Sequence, residues 1–172
     1  YMNRIVFLRS NSVNPDSRIE KETNALKGAG HDVTILCWDR SNSKTQEPDY
    51  LHQSNGDIMI IRFGIPAEYG AGMSSLFPFL VFQIRMALWL VLHRKSFEVI
   101  HACDYDTAFT GYLISRVLRK KLVFDIFDFL FFKPSGKLSF FKQLIKTMQL
   151  KVVDEADHTI ICTEKRIEQI AG

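Results

Sequence analysis

An apolar run at residues 99–102 ends in a group of titratable side chains within the stretch VIHACDYDTAF. His101, Cys103, Asp104 and Asp106 follow one another closely, and a helical pattern begins after them. A carboxylate or imidazole beside a bound hydroxyl can accept or orient its proton, which is general acid–base chemistry. We therefore interpret this stretch as the floor of a substrate cleft.

Two other apolar runs also end in polar residues. The loop RSNSVNPDSR follows the run at 4–8, and the run at 122–125 leads into DIFD. In an open parallel sheet, ligands bind beyond the carboxyl ends of the strands, where helix N-termini also direct free N–H groups outward. The sequence therefore predicts that Arg18, Asp104 and Asp128 border a common hollow.

Apolar runs alternate with helical patterns along the chain, as is typical of strand–helix–strand units in a parallel sheet. The Ser17-x-x-Glu20 pattern is that of a capping box at the first helix, and residues 39–56 are polar enough to predict a surface excursion. We predict a doubly wound, mostly parallel Rossmann-like α/β sheet flanked by helices. The expected strands are 4–8, 32–38, 58–63, 99–102, 122–125 and 159–162, and after the helix that starts at 17 the expected helices are 75–95, 107–118, 138–155 and 164–170.

Composition and missing motifs exclude several classes of protein. With 172 residues, 47% apolar and 24% charged, the chain can bury one core and is unlike disordered or fibrous chains. No GxGxxG, GxxxxGK(S/T), GxSxG, HExxH or paired-cysteine motif occurs, so we expect neither a metal site nor a tightly bound cofactor in this domain. Cys37, Cys103 and Cys162 are expected to be buried thiols. No signal peptide is visible, so we expect a cytoplasmic protein.

The net charge of +3 conceals a basic block at residues 119–151, where eight basic and two acidic side chains interleave with aromatic residues. Aromatic anchors beside basic charges favour contact with an anionic membrane surface, here the inner face of the membrane. A helix that only packs its apolar face on the core is the alternative. Nucleic acid is not expected, because it would need the charges to line a groove. The candidate membrane-contact residues are Phe131, Phe132, Lys133, Lys137, Lys142 and Lys146.

A second apolar stretch, LFPFLVFQIRMALWLVL at 76–92, is 17 residues long and contains Gln83 and Arg85. A membrane span needs about 20 predominantly apolar residues with few charges. We expect a helix that packs on the sheet or exposes an apolar stripe, with shallow membrane contact as the alternative.

Four segments together carry a family resemblance: PDSRIEKETNALKGAGHDVTIL, VIHACDYDTAFTGYLIS, KLVFDIFDF and ADHTIICTEKRIEQI. In this order they resemble the N-terminal domain of family 4 glycosyltransferases, which have the GT-B fold. The resemblance implies two Rossmann-like domains that face each other across a cleft. Residues 1–172 would form the domain that binds the acceptor, and a C-terminal domain outside this chain would bind most of the nucleotide-sugar donor. It also implies a retaining reaction, no metal, and no activity in the isolated domain.

The resemblance also suggests site residues. Asp16 and Arg18 match an Asp-x-Arg pair at the first helix in one branch of the family. His101 and Asp104 match the ends of a His-x-His-Asp pattern, and Asp125 matches the start of an Asp-x-His-Glu pattern.

The chain departs from these patterns at Cys103 and Phe127, which replace histidines, and at Asp128, which replaces glutamate. These changes argue against an imidazole base. We therefore expect Asp104 or Asp128 to hydrogen-bond the acceptor hydroxyl, and Arg18, with the start of its helix, to face the donor phosphates. Asn14, Asp16, His101 and Cys103 are further candidate substrate-binding residues. Alternatively, Asp104 and Asp106 cap the following helix, and Arg18 pairs with a surface glutamate.

The leading interpretation is the acceptor-binding domain of a nucleotide-sugar-dependent glycosyltransferase that acts on a lipid-linked or surface-polysaccharide acceptor. Its expected partners are its own C-terminal domain, the acceptor and an anionic membrane surface. Two other classes stay open. One is a Rossmann-like enzyme of different chemistry, such as a methyltransferase or epimerase, and the other is a non-catalytic interaction domain.

Overall fold

The computed structural model describes residues 2–45, 48–68, 72–127 and 140–161, and at 72–73 and 140–142 it describes only the backbone. Its strands form one sheet in the order β3-β4-β2-β1-β5-β6-β7. Every pairing is parallel except β3 with β4. The strands are β1 Arg4–Arg9, β2 Asp32–Asp39, β3 Asp49–Leu51, β4 Ile58–Gly64, β5 Val99–Cys103, β6 Lys121–Ile126 and β7 His158–Ile161. The α-helices are α1 Ser17–Gly28, α2 Leu76–Leu92, α3 Tyr105–Leu118 and α4 Phe140–Glu155, with a 3₁₀ turn at Gly72–Ser75. The predicted fold class is confirmed.

Both faces of the sheet are covered, which explains the unbroken apolar runs of the strands. In β1, Ile5 and Phe7 pack with Ile19 of α1, while Val6 and Leu8 face the side that carries α2, α3 and α4. Gly111 lets α3 approach closely, since a Cβ there would lie 3.1 Å from Cβ of Ala102 in β5. This contact holds the middle of α3 against β5.

The central strands β1, β5 and β6 are parallel neighbours and end at the same edge of the sheet. Leu8 pairs with Ala102, and Cys103 pairs with Asp125. The prediction that these strand tips converge is therefore confirmed. The following loops and helix N-termini share this edge.

The boundaries differ from prediction where the sequence signal was weak. The excursion at 39–56 contains the edge strand β3, which is only three residues long and carries no apolar alternation. Helix α1 is capped by Asp16 rather than Ser17: Asp16 accepts from the backbone N–H of Ile19, and Glu20 accepts from that of Asp16. Helix α3 begins two residues early, at Tyr105. The predicted helix at 164–170 lies outside the described residues.

Helix α2 both packs on the sheet and exposes an apolar stripe, the two arrangements that its sequence predicted. Phe82, Met86 and Leu90 are buried against the sheet. Along the opposite side runs an exposed apolar stripe, formed by Phe77, Leu80, Ile84 and Leu88. Across the described part of the chain, no helix combines the length and apolar character needed to cross a bilayer.

Candidate functional site

At the shared edge of β1, β5 and β6, eight side chains form what we call the strand-tip cluster. Its cations are Arg9 and Arg18, and its acidic residues are Asp16, Glu22, Asp104 and Asp125, with His101 and Phe127 between them. Each cation contacts two of the carboxylates and the aromatic ring.

Arg9, the last residue of β1, joins two loops. Its Nε donates to Oδ2 of Asp16 at 2.9 Å, and its Nη1 donates to Oδ2 of Asp104 at 2.5 Å. Asn11 also donates to Oδ2 of Asp16 at 2.9 Å. Burial disfavours the ionised form of Asp16, but the hydrogen bond from Asn11 and the charge of Arg9 outweigh it and lower the pKa of that carboxyl. Arg9 was not among the predicted site residues, although it ends a strand as the strand-end rule requires.

Asp104 occupies the bend between β5 and α3. Its backbone has φ 64° and ψ 169°, a region that residues with a side chain rarely adopt and that costs of the order of 1–3 kcal/mol. Its carboxylate makes no hydrogen bond to the start of α3. Instead it accepts from Arg9 and, at 2.9 Å, from the backbone N–H of Phe127. The alternative that this side chain serves only as a helix cap is therefore wrong.

Arg18 lies in the first turn of α1 and reaches across to β6. It donates to Oε1 of Glu22 at 2.8 Å and to Oδ1 of the fully buried Asp125. Its guanidinium also lies 3.9 Å from the ring centroid of Phe127. The pairing with a glutamate occurs as the alternative expected, but within the cluster and with a second carboxylate. At 27% exposure, the Arg18 side chain is partly accessible from the surface.

His101 and Cys103 lie beneath the cluster. The imidazole of His101 stacks on Phe7 at 4.0 Å, and its Nε2 lies 3.5 Å from Oδ2 of Asp125. Cys103 has no exposed surface, and Cys37 is likewise a buried free thiol, so the prediction for these two cysteines is confirmed. Cys162 lies outside the described residues. The structure thus places His101 and Cys103 where they support Asp125, and their contact with substrate stays a prediction.

His101, Cys103 and Asp125 bring their possible metal-ligand atoms within 4.8 Å of one another. The chemistry of the group is unfavourable for a cation. A cysteine binds a metal ion as the thiolate, whereas burial raises the pKa of Cys103 well above its ordinary value and favours the neutral thiol. The guanidinium of Arg18 already binds Asp125. The expectation of no metal here stays a prediction.

The ionised form of Glu22 is disfavoured within the cluster. Burial raises the pKa of its carboxyl, the hydrogen bond from Arg18 opposes this only in part, and the nearby charge of Asp125 adds to the rise. Its Oε2 is buried, has no hydrogen-bond partner within residues 2–45, 48–68, 72–127 and 140–161, and lies 3.9 Å from Nε2 of His101. A proton is therefore held more readily at Glu22 than at an ordinary glutamate.

Asn14 lies apart from the cluster, in a polar pocket of about 450 Å³ at the ends of β1, β2 and β4. Asp39, which ends β2, accepts from the backbone of Ser41 and from the side chain of Asn42. Arg62 donates to Asp49 at 2.7 Å. Sequence reasoning missed this pocket, although Asp39 satisfies the same strand-end rule that selected Asp104.

Several predicted residues are not tested by the described structure. Asp128, Phe131, Phe132, Lys133 and Lys137 lie outside it, and Lys142 is described only by its backbone within α4. Lys146 is exposed on the same helix.

Solved structures share this fold. Sucrose-phosphate synthase from Thermosynechococcus elongatus is 12% identical, with a TM-score of 0.66 over 98% of this chain and 44% of its own. An α,α-trehalose 6-phosphate synthase from Burkholderia multivorans is 13% identical, with a TM-score of 0.61 over 99% of this chain and 42% of its own. UDP-GlcNAc 2-epimerase from Methanocaldococcus jannaschii is 11% identical, with a TM-score of 0.54 over 98% of this chain and 42% of its own. The chain therefore spans under half the length of each.

A search of the curated proteins finds no match. The family Glycosyltransferase Family 4, by contrast, matches residues 18–171, which include Arg18, Asp104 and Asp125 of the strand-tip cluster. Together with the GT-B fold of the sheet and its helices, this match identifies the chain as a member of glycosyltransferase family 4.

Proposed function

We propose that the chain is the acceptor-binding domain of a nucleotide-sugar-dependent, retaining glycosyltransferase. The observation that carries the proposal is Asp104, whose carboxylate is held by Arg9 and by Phe127 N–H at a strained strand end. Backbone strain of this kind persists only where the surrounding structure maintains it, and such positions cluster at functional sites. The donor binds mainly to a second domain, as in the GT-B architecture, and no resident cofactor is needed here.

Asp104 orients the acceptor. Sugar transfer requires a group that accepts or positions the proton of the attacking hydroxyl. The Asp104 carboxylate, whose Oδ2 accepts from Arg9 and whose Oδ1 accepts from Phe127 N–H, is fixed in position for this role, and Asp128 is the second candidate. Asn14 and the polar pocket around it offer hydrogen bonds to further acceptor hydroxyls.

Arg18 stabilises the departing phosphate. A guanidinium suits this role because its donors are planar, permanently charged and matched to phosphate oxygens. Helix α1 begins beside it, but Asp16 already accepts from Ile19 N–H at that terminus. Arg18 is therefore the stronger phosphate partner of the two.

The test uses the full-length protein, nucleotide sugars and a panel of lipid-linked and polysaccharide acceptors. Transfer that is lost in D104A and in D128A supports the proposal, and unchanged turnover in both variants overturns it. The matched control is D32N, because Asp32 begins β2 at the opposite edge of the sheet. Conversion of a nucleotide sugar into its epimer without any acceptor would instead indicate an epimerase, since one such enzyme shares this fold.

We further propose that the acceptor is presented at an anionic membrane surface. The apolar stripe of α2 and the exposed Lys146 of α4 belong to helices on the same face of the sheet, and α2 contains no acidic residue. Each basic side chain near an anionic leaflet contributes about 1 kcal/mol to binding.

Vesicle cosedimentation tests this membrane contact. The full-length protein should pellet with phosphatidylglycerol vesicles more than with phosphatidylcholine vesicles, and the double variant K142Q/K146Q should pellet less. The control K21Q/K27Q removes two lysines from α1, which packs on the other face of the sheet. Equal pelleting with both lipids contradicts the proposal.

A further inference from the structure

A cavity of about 200 Å³ lies between α2, α3 and α4. Its described walls are mostly apolar: Phe79 comes from α2, Phe109 from α3, and Ile145 and Met148 from α4. An apolar cavity of about 150 Å³ is large enough to bind benzene, so this one has room for a ring or a short chain.

Two buried polar side chains in this wall lack the hydrogen bonds that burial demands. Gln149 is 3% exposed, and neither its Oε1 nor its Nε2 has a hydrogen-bond partner among the residues that the structure describes. Oδ1 of Asp106 is also buried and has no hydrogen-bond partner in the described part of the chain. A buried amide without partners is costly, because its lost hydrogen bonds to water are not replaced. These atoms therefore point to a ligand that supplies the missing bonds.

Gln83 lines the same cavity, but both polar atoms of its amide have hydrogen-bond partners. Its Nε2 donates to the backbone oxygen of Asp106 at 2.7 Å, and its Oε1 accepts from Thr110 at 2.5 Å. Gln83 thus ties α2 to α3, whereas Gln149 ties α4 to nothing described. The contrast separates a structural glutamine from one available to bind.

The cavity adjoins the strand-tip cluster. Asp106 stands two residues after Asp104 in the first turn of α3, and the side chain of Ser10, which follows Arg9, lowers the pKa of its carboxyl against the larger opposite effect of burial. The cavity therefore opens beside the first turn of α3, the helix that directly follows Asp104.

We propose that this cavity binds an uncharged, largely apolar group of the acceptor, a ring or short chain that carries a hydroxyl hydrogen-bonded by Gln149. The inference rests on the proposed function, because it assigns part of the acceptor to a second subsite. A charged group does not suit the site. The walls are apolar, and burial raises the pKa of Asp106, which shows that negative charge is already disfavoured there.

The test is ligand binding, measured without donor by NMR of ¹³C-methyl groups in the full-length protein. Ile145 and Met148 report on the cavity. The probes are benzyl alcohol, toluene, which lacks the hydroxyl, and benzoate, which is charged. Benzyl alcohol should shift both methyl signals and benzoate should not.

The variant Q149L removes the amide at similar volume, and Q143L makes the same change at an exposed position of α4. Loss of one hydrogen bond should lower the affinity for benzyl alcohol, relative to that for toluene, about fivefold in Q149L and not in Q143L. No methyl shift with benzyl alcohol, or the same benzyl alcohol to toluene ratio in Q149L as in wild type, overturns the inference.

The two proposals fail separately. If benzyl alcohol binds as expected but no nucleotide sugar is transferred to any acceptor, the cavity stands as a binding site and the proposed function falls. If transfer occurs and Q149L leaves the KM for the acceptor unchanged, the cavity is not an acceptor subsite and only the inference falls.

Discussion

The strand-tip cluster and the apolar cavity are neighbours in the fold, but their polar groups are held in opposite ways. In the cluster, Asp104 accepts from Arg9 and Phe127, and Arg18 is held by two carboxylates. In the cavity, both amide atoms of Gln149 lack partners among the described residues. The cluster is therefore organised before a substrate arrives, whereas the cavity completes its hydrogen bonds only with a ligand.

This difference predicts different consequences of mutation. Preorganised charges act on the transition state, so changes in the cluster should lower turnover. An unsatisfied cavity acts on ground-state affinity, so changes there should alter the KM of the acceptor and little else.

The largest effect is expected at Asp104. Replacement by alanine or by glycine should each lower kcat about 10²–10³-fold in the full-length protein, because both remove the carboxylate that we propose positions the acceptor hydroxyl. The measurement is steady-state transfer of sugar to the acceptor. An effect below tenfold in both variants would place Asp104 outside the catalytic machinery.

The two Asp104 variants should differ in stability. Glycine adopts φ 64° and ψ 169° without penalty, whereas alanine keeps the strain, so D104G should be more stable than D104A by about 1–2 kcal/mol. Urea denaturation compares them directly. Equal stability would mean that the bend is not strained.

The next largest effect is expected at Arg18. R18A should lower kcat/KM for the nucleotide sugar about 10–100-fold, the range for losing a charged hydrogen bond, and R18K should recover only part of it because lysine lacks the planar fork. R4A is the control, since Arg4 forms an exposed ion pair with Glu98 at the opposite edge. A fully active R18K would show that charge alone suffices.

The sheet could be predicted from sequence because its information is local. The runs at 4–8, 99–102 and 122–125 are short, apolar and followed by polar residues, and the parallel-sheet rule then fixes the edge where they end. Pairings inside the site are not local. Arg9 and Asp104 are 95 residues apart, and nothing in either segment shows that they meet.

Burial was the other quantity that the pattern could not supply. The burial of Cys103 was expected, but nothing in the sequence shows that His101, at the end of the same strand, is 5% exposed and stacks on Phe7. The cavity was missed for a similar reason. Gln149 follows a helical pattern like any surface glutamine, and only the packing of α2, α3 and α4 shows that it is buried.

A smaller effect is expected at Asp16. D16N keeps an oxygen that can cap α1 but loses the charge that faces Arg9, so unfolding should become easier by about 1 kcal/mol at pH 7. The folded pKa of Asp16 is lowered, so its contribution is complete above the ordinary Asp pKa of about 3.9 and is lost as the pH falls through the folded value. Urea denaturation at pH 7 and in acid should show that the difference in unfolding free energy between D16N and wild type becomes smaller in acid. A pH-independent gap would exclude the charge as its cause.

The smallest effect, and the only gain, is expected at Glu22. Its folded pKa is raised, so the ionised carboxylate destabilises the folded protein once the pH exceeds that pKa, and the penalty disappears below the ordinary Glu pKa of about 4.3. E22Q should therefore unfold at a slightly higher urea concentration than wild type at pH 7, with the two converging in acid. E98Q should shift the other way at pH 7, because Arg4 lowers the pKa of Glu98. If E22Q instead destabilises the protein at pH 7, the negative charge of Glu22 is needed to hold Arg18, and the cluster is less strained than its buried, unpartnered Oε2 indicates.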